Sequence, residues 1–191
     1  MQRISKIIVA GFAAAAIAAS LGGMGPAFAK EMTKMVGGAP MYPSKNIVQN
    51  AMHSKDHTTL VAAVKAAGLV KTLESPGPFT VFAPTNTAFA KLPKGTVQTL
   101  LKPENKQKLT SILTYHVVPG RLTTRMLKEK VKEGGGKAML KTVEGEPLTI
   151  KEKNGHLWVI DSKGDTAMIT ISNVMQSNGV IQVINKVLLP G

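Results

Sequence analysis

The feature that most constrains this chain lies in its second half, where short β-prone runs are separated by Glu144-Gly145, Asn154-Gly155, Lys163-Gly164-Asp165 and Asn178-Gly179. Glycine and asparagine reach the left-handed backbone region at little cost, so each of these points can end a strand and reverse the chain. Asn154-Gly155, between "LTIKEK" and "HLWVI", is the strongest hairpin signal, because that pair suits the two-residue turn whose twist matches its strands. The last run, "GVIQVINKVLLP", is apolar at nearly successive positions and reads as a strand covered on both faces. Strands therefore dominate this half of the chain.

The first half has helical spacing instead. A short helix is expected around Ile47 to Met52, then a break at "SKD", where Asp56 can cap a second helix with Leu60, Val61, Val64 and Ala67 on one face. Gly68 marks its end. Val97, Leu100 and Leu101 precede a restart at Pro103 and a stripe of Leu109, Ile112 and Leu113. "YHVV" reads as extended up to Pro119-Gly120, and Thr123 to Glu133 as a helix with Leu127 and Val131 inward, stopped by Gly134-Gly135-Gly136. No internal repeat is present, which argues against a solenoid.

The start of the chain is different in kind. Arg3 and Lys6 precede an apolar run from Ile7 to Leu21, and Ala27-Phe28-Ala29 stands before Lys30. This is the pattern of a secretory leader over residues 1–29, with cleavage after Ala29 and no transmembrane anchor left afterwards. Residues 30–44, with Gly37, Gly38, Pro40 and Pro43, lack a period and read as an extended lead-in. The chain has no cysteine, so export into an oxidising compartment brings it no disulfide. The expected address is the periplasm or the medium.

Charge then narrows the partner. The formal net charge is +13, and only Arg3 and Lys6 of its cations fall in the leader. Nucleic acid is not expected, since an exported chain rarely meets it and few aromatics are available for base stacking. The cations concentrate at Arg121, Arg125, Lys128, Lys130, Lys132, Lys137 and Lys141, against Glu129 and Glu133. Spacings of four and three residues put Arg121, Arg125 and Lys128 on one helix face, where an anionic polymer would bind by charge; a solvated face is the alternative.

Enzyme chemistry finds no foothold in the sequence. There is no G-x-S-x-G elbow, no cysteine nucleophile, and no Lys-Ser or Lys-Thr after the glycine triplet. No catalytic residue, no cofactor and no assigned metal ligand is therefore expected. Copper binding is the nearest metal alternative, because Met32, Met35, Met41, Met52, His53 and His57 supply soft ligands in one stretch. Against it, "SKD" breaks the helix that would align His53 with His57, and methionine is a common core filler.

Three segments carry a family resemblance. "GPFTVFAPTNTAFAKLP", "LTYHVVPG" and "SNGVIQVINKVLLP" resemble, in order and separation, the signature segments of the fasciclin (FAS1) domain over residues 45–191. The resemblance implies a single α+β domain, a β-wedge or small sandwich with packed helices. In the first segment, Phe79, Val81 and Ala83 share a strand face, Pro84 ends the ladder, and Thr85 or Asn86 can cap the helix that buries Phe89 and Leu92. It also implies an exported, monomeric, non-enzymatic adhesion or matrix-interaction module that binds a cell-surface or matrix protein, or an anionic polysaccharide. A periplasmic small-molecule or copper-binding protein is the alternative. Tyr115-His116 resembles the family's Tyr-His motif, associated there with adhesion, while a hydrogen-bonded core imidazole is the structural alternative. Asn86, Gln182 and Asn185 stand where the family often has ionisable groups.

Overall fold

The computed structural model describes residues 33–191. The expected leader, its cleavage site and Met32 lie outside the described residues. Residues 34–41, which have no period in the sequence, form a small hairpin of β1 (Lys34–Val36) and β2 (Ala39–Met41), paired from Lys34↔Met41 to Val36↔Ala39. Gly37 makes its turn at φ 58°, and a Cβ there would run into Ser54 and the backbone of Lys55 and Asp56. Only glycine fits both the angle and the approach.

Seven helices follow among the described residues: α1 (Ile47–Ala51), α2 (Thr58–Ala67), α3 (Val70–Glu74), α4 (Asn86–Ala90), α5 (Thr96–Leu100), α6 (Lys106–Tyr115) and α7 (Thr124–Glu133). Asn46 and Gln49 form a reciprocal cap on α1, and Gly68 closes α2 in the left-handed region at φ 74°. The stripe expected on α6 is buried as Leu109, Ile112 and Leu113. Leu127 and Val131 are the buried residues of α7.

Two local expectations are corrected, and one helix goes unannounced in the sequence. Asp56 does not cap α2; it lies in a 3₁₀ turn, Lys55–His57, and the residue at the N-cap position is His57, without a side-chain cap bond. α3 shows no signal in the sequence, because five residues are too few to display a period. "YHVV" is not extended throughout: Tyr115 ends α6 and His116 is its C-cap, so strand begins only at β4 (Val117–Pro119).

The other strands are β3 (Phe79–Pro84), β5 (Ala138–Lys141), β6 (Pro147–Lys153), β7 (His156–Ile160), β8 (Thr166–Gln176) and β9 (Gly179–Ile184). They form one seven-stranded sheet in the order β4-β3-β9-β8-β7-β6-β5. Every neighbouring pair is antiparallel except β3 and β9, which run parallel. Asn154 and Gly155 turn between β6 and β7 with φ of 53° and 76°. β8 pairs first with β7 and then with β9, with register shifts between Ile169 and Ile171 and between Ile171 and Val174. Such irregularities bend a strand, and here they turn the sheet into a wedge. Beyond β5 the Val143 N–H donates to the Val117 carbonyl at 2.8 Å, which ties the two sheet edges together.

Two apolar cores result. The helices α1, α2 and α6 pack on Val81, Ala83, Ile181 and Val183 of β3 and β9. Inside the wedge lie Phe82, Ile184, Leu148, Ile150 and Val159, closed by Tyr115 and by Leu127 of α7. β3 and β9 thus bury side chains on both faces, and full burial of each Val, Leu, Ile or Phe stabilises by roughly 1.5–3 kcal/mol. The fold is a single α+β domain, a wedge-shaped sheet with packed helices.

Candidate functional site

The β3–α4 corner is a joint between elements. Thr85 caps α4, its Oγ1 accepting the Ala88 N–H at 3.2 Å. Asn86 reaches the other way: its Oδ1 accepts from Thr59 N–H at 3.0 Å and Thr58 Oγ1 at 3.2 Å, and its Nδ2 donates to the Lys55 carbonyl at 2.8 Å. It therefore satisfies the exposed N-terminus of α2, which has no cap of its own.

Tyr115 and His116 are both in the core. Tyr115 is 0% exposed, its hydroxyl donating to the Pro147 carbonyl at 3.0 Å and accepting the Ser162 N–H at 2.9 Å. His116 is 3% exposed, with Nδ1 2.8 Å from the Ile112 carbonyl and Nε2 accepting the Leu188 N–H at 3.0 Å. Burial pushes its pKa down to about 4, so the ring is neutral at pH 7. These two side chains tie α6 to the start of β6, the β7–β8 turn and the C-terminal run.

The structure separates the basic residues that the sequence placed on one face. α7 begins at Thr124, so Arg121 precedes it, with Nη2 donating to the Ser177 carbonyl at 2.9 Å. Arg125 and Lys128 are on α7 and exposed, the first 3.6 Å from Glu129 and the second 2.7 Å from Glu152 on β6. With Lys132 they border a shallow groove floored by Val131 and Gly136. Lys130, Lys132 and Lys137 are exposed and make no ion pair among the described residues.

The soft-ligand stretch is divided as well. Met41 and His57 are buried, whereas Met35 and Met52 are exposed and His53 sits on the surface with Nδ1 2.7 Å from the Gln49 carbonyl. Among the described residues, no group of three or more histidine and carboxylate side chains is placed to hold a metal ion.

Sequence reasoning missed a network at the start of α7. Asn173, at φ 54° in the bulged part of β8, accepts the Thr124 N–H at 2.8 Å and donates to Thr124 Oγ1 at 2.7 Å. Gln182 of β9 accepts the Asn173 N–H at 3.0 Å and donates to the Leu122 carbonyl at 3.0 Å. A polar residue inside the apolar run of β9 was the available signal, since a fully buried amide must find partners.

The family profile of the fasciclin domain matches residues 55–190. The chain belongs to the fasciclin family. Protein sll1483 of Synechocystis sp. is 46% identical to it over 160 residues, 84% of this chain and 82% of that one. Human periostin is 32% identical over 146 residues, 76% of this chain but 16% of periostin. Immunogenic protein MPB70 of Mycobacterium bovis is 34% identical over 145 residues, 73% of this chain and 66% of MPB70. A solved FAS1 domain pair from the insect cell adhesion molecule fasciclin I superposes with a TM-score of 0.70 at 19% identity, covering 78% of this chain and 52% of that structure.

In this fasciclin domain the three signature segments become neighbours. They supply β3, β4 and β9, which lie side by side in the order β4-β3-β9. The amides at the departing positions use their N–H groups: Asn86 on Lys55, and Gln182 on Leu122 and Asn173. A carboxylate has no such donor. Asn185 differs, accepting the Met168 N–H through Oδ1 at 2.9 Å.

Proposed function

We propose that this fasciclin domain is an exported, non-enzymatic adhesion or matrix-interaction module that holds an anionic surface polysaccharide on the outer face of α7. One observation carries the reading: α7 buries Leu127 and Val131 and turns Arg125, Lys128, Lys130 and Lys132 to solvent, on a chain of net charge +13. Fasciclin I, whose FAS1 domains share this fold, is a cell adhesion molecule, which supports the class. Tyr115 and His116 act in this reading by holding the domain together, and Arg121 by fixing the β8–β9 turn; Arg125 and Lys128, with Lys132, make the contact.

Charge attraction at an exposed face is screened over about 8 Å at physiological ionic strength, so retention on an alginate column is expected to fall steeply with salt. The variant Arg125→Gln, Lys128→Gln, Lys132→Gln is expected to lose that retention and keep its circular dichroism, because exposed pairs such as Lys128–Glu152 are each worth only about 0–1 kcal/mol. Salt-independent retention, or full retention of the folded variant, would move the contact elsewhere and favour a protein partner. Export is tested separately: N-terminal sequencing of the protein from envelope or medium is expected to begin at Lys30, and uncleaved cytoplasmic protein would overturn it.

A further inference from the structure

Between the helical shell and the helix-facing side of the sheet lies a cavity of about 80 Å³, with Leu60, Val64, Leu73 and Ile181 in its almost wholly apolar wall. His57 stands in that wall and is 3% exposed. Its Nδ1 lies 2.9 Å from Ser54 Oγ, while its Nε2 is buried without a hydrogen-bond partner. Burial also holds its pKa below the ordinary value, against the opposing pull of the Ala83 backbone, which lies near the ring but outside hydrogen-bond geometry, and of the Asp56 charge, so the ring is neutral at pH 7.

The other buried polar groups of the wall are occupied. His116 uses both nitrogens, Ser54 uses its hydroxyl on His57, and Thr114 donates to the Thr110 and Ser111 carbonyls at 2.8 and 3.1 Å. Water is a poor occupant of such a space, because a buried water makes about three hydrogen bonds and this wall offers it one. A charged ligand is worse still, since no buried counter-charge lines the wall.

We infer that the cavity is a binding site for a small neutral alcohol, its hydroxyl bonded to His57 Nε2 and its apolar body packed among Leu60, Val64, Leu73 and Ile181. A hydroxyl both donates and accepts, so it satisfies either tautomer of the ring. The volume is about half that of an apolar cavity known to take benzene, at roughly 150 Å³, which sets the enclosed body at about four carbons. Half-buried Val61 and Leu69 and exposed Lys65 border the cavity, so a longer chain has a way out towards solvent.

The probes are 1-butanol and n-pentane, which match in body size and differ in the oxygen. Their titration into the ¹⁵N-labelled exported chain is followed at the imidazole nitrogens of His57. Saturable shifts with 1-butanol at millimolar concentration are expected, within reach of so small a ligand, and binding of n-pentane about tenfold weaker. His57→Phe is expected to abolish the preference for the alcohol. Should that variant fail to fold, a crystal of the unaltered chain soaked in 1-butanol decides: the alcohol oxygen within hydrogen-bond distance of Nε2 supports the site. An ordered water alone on Nε2, equal affinity for the two probes, or no saturable shift would each overturn it.

Discussion

His116 shows how one side chain fixes its own protonation. The Leu188 N–H points at Nε2, so that nitrogen has to be bare and the proton sits on Nδ1, where it is donated to the Ile112 carbonyl. His116→Ala leaves Leu188 N–H and the Ile112 carbonyl without their buried partner and opens a void between α6 and the C-terminal run. Each buried group left unpaired costs about 1–3 kcal/mol, and the void adds to that. Urea denaturation at pH 7 is expected to show a loss of at least about 1–3 kcal/mol with an unchanged slope. A variant as stable as the parent that no longer binds alginate would place the ring in the partner contact instead.

At the scale of elements, helices are seated here by side chains from distant strands and corners. Asn86 caps α2 although it follows Thr59 by 27 residues, and Asn173 holds the start of α7 across 49. Asn86→Ala is expected to cost about 1–2 kcal/mol, with faster hydrogen exchange at the first amides of α2. Asn86→Asp keeps an oxygen to accept from Thr58 and Thr59, adds a negative charge at a helix N-terminus and loses the donation to the Lys55 carbonyl, so its cost is expected to be smaller. Equal losses for the two variants would mean that the Lys55 bond, not the cap, holds the joint. This is also why the sequence misled about Asp56: aspartate at a break is a good cap, and nothing local reveals a better one arriving from the first residue of α4. The amphipathic stripes of α2, α6 and α7 were legible because each repeats over ten residues, whereas α3 holds only five and follows α2 after Gly68 and Leu69 alone. The charge of the candidate face was legible too, but not the pairing of Lys128 with Glu152 on a strand that the sequence does not connect to it.

For the whole molecule, the antiparallel half was readable from its turns and the burial of β9 from its unbroken apolar run. The parallel pairing of β3 with β9 was not, since neither "FTVFAP" nor "GVIQVI" carries a mark of its partner. That pairing places the helices on one face and the closed wedge on the other, and it leaves two imidazoles, His57 and His116, enclosed by the packing. Both have pKa values lowered chiefly by burial, that of His116 from 6.5 to about 4. The unfolded chain, with ordinary imidazoles, therefore binds more protons than the folded one between these values. Stability from this source is complete above about pH 6.5 and is lost as pH falls towards 4. At about 1.36 kcal/mol per pKa unit, His116 alone contributes roughly 3 kcal/mol, a large part of the 5–15 kcal/mol typical of a domain. Glu146, whose pKa is lowered by hydrogen bonds from the Gly191 N–H and the Ser162 hydroxyl, adds to the loss at more acid pH. Urea midpoints measured from pH 7.5 down to 4 are expected to fall through this window, and the fall is expected to be much shallower in His116→Ala, whose stability at pH 7 is already reduced. A midpoint that stays level or rises as the solution is acidified would mean that the ring is protonated inside the fold, and that the Leu188 N–H is not its partner.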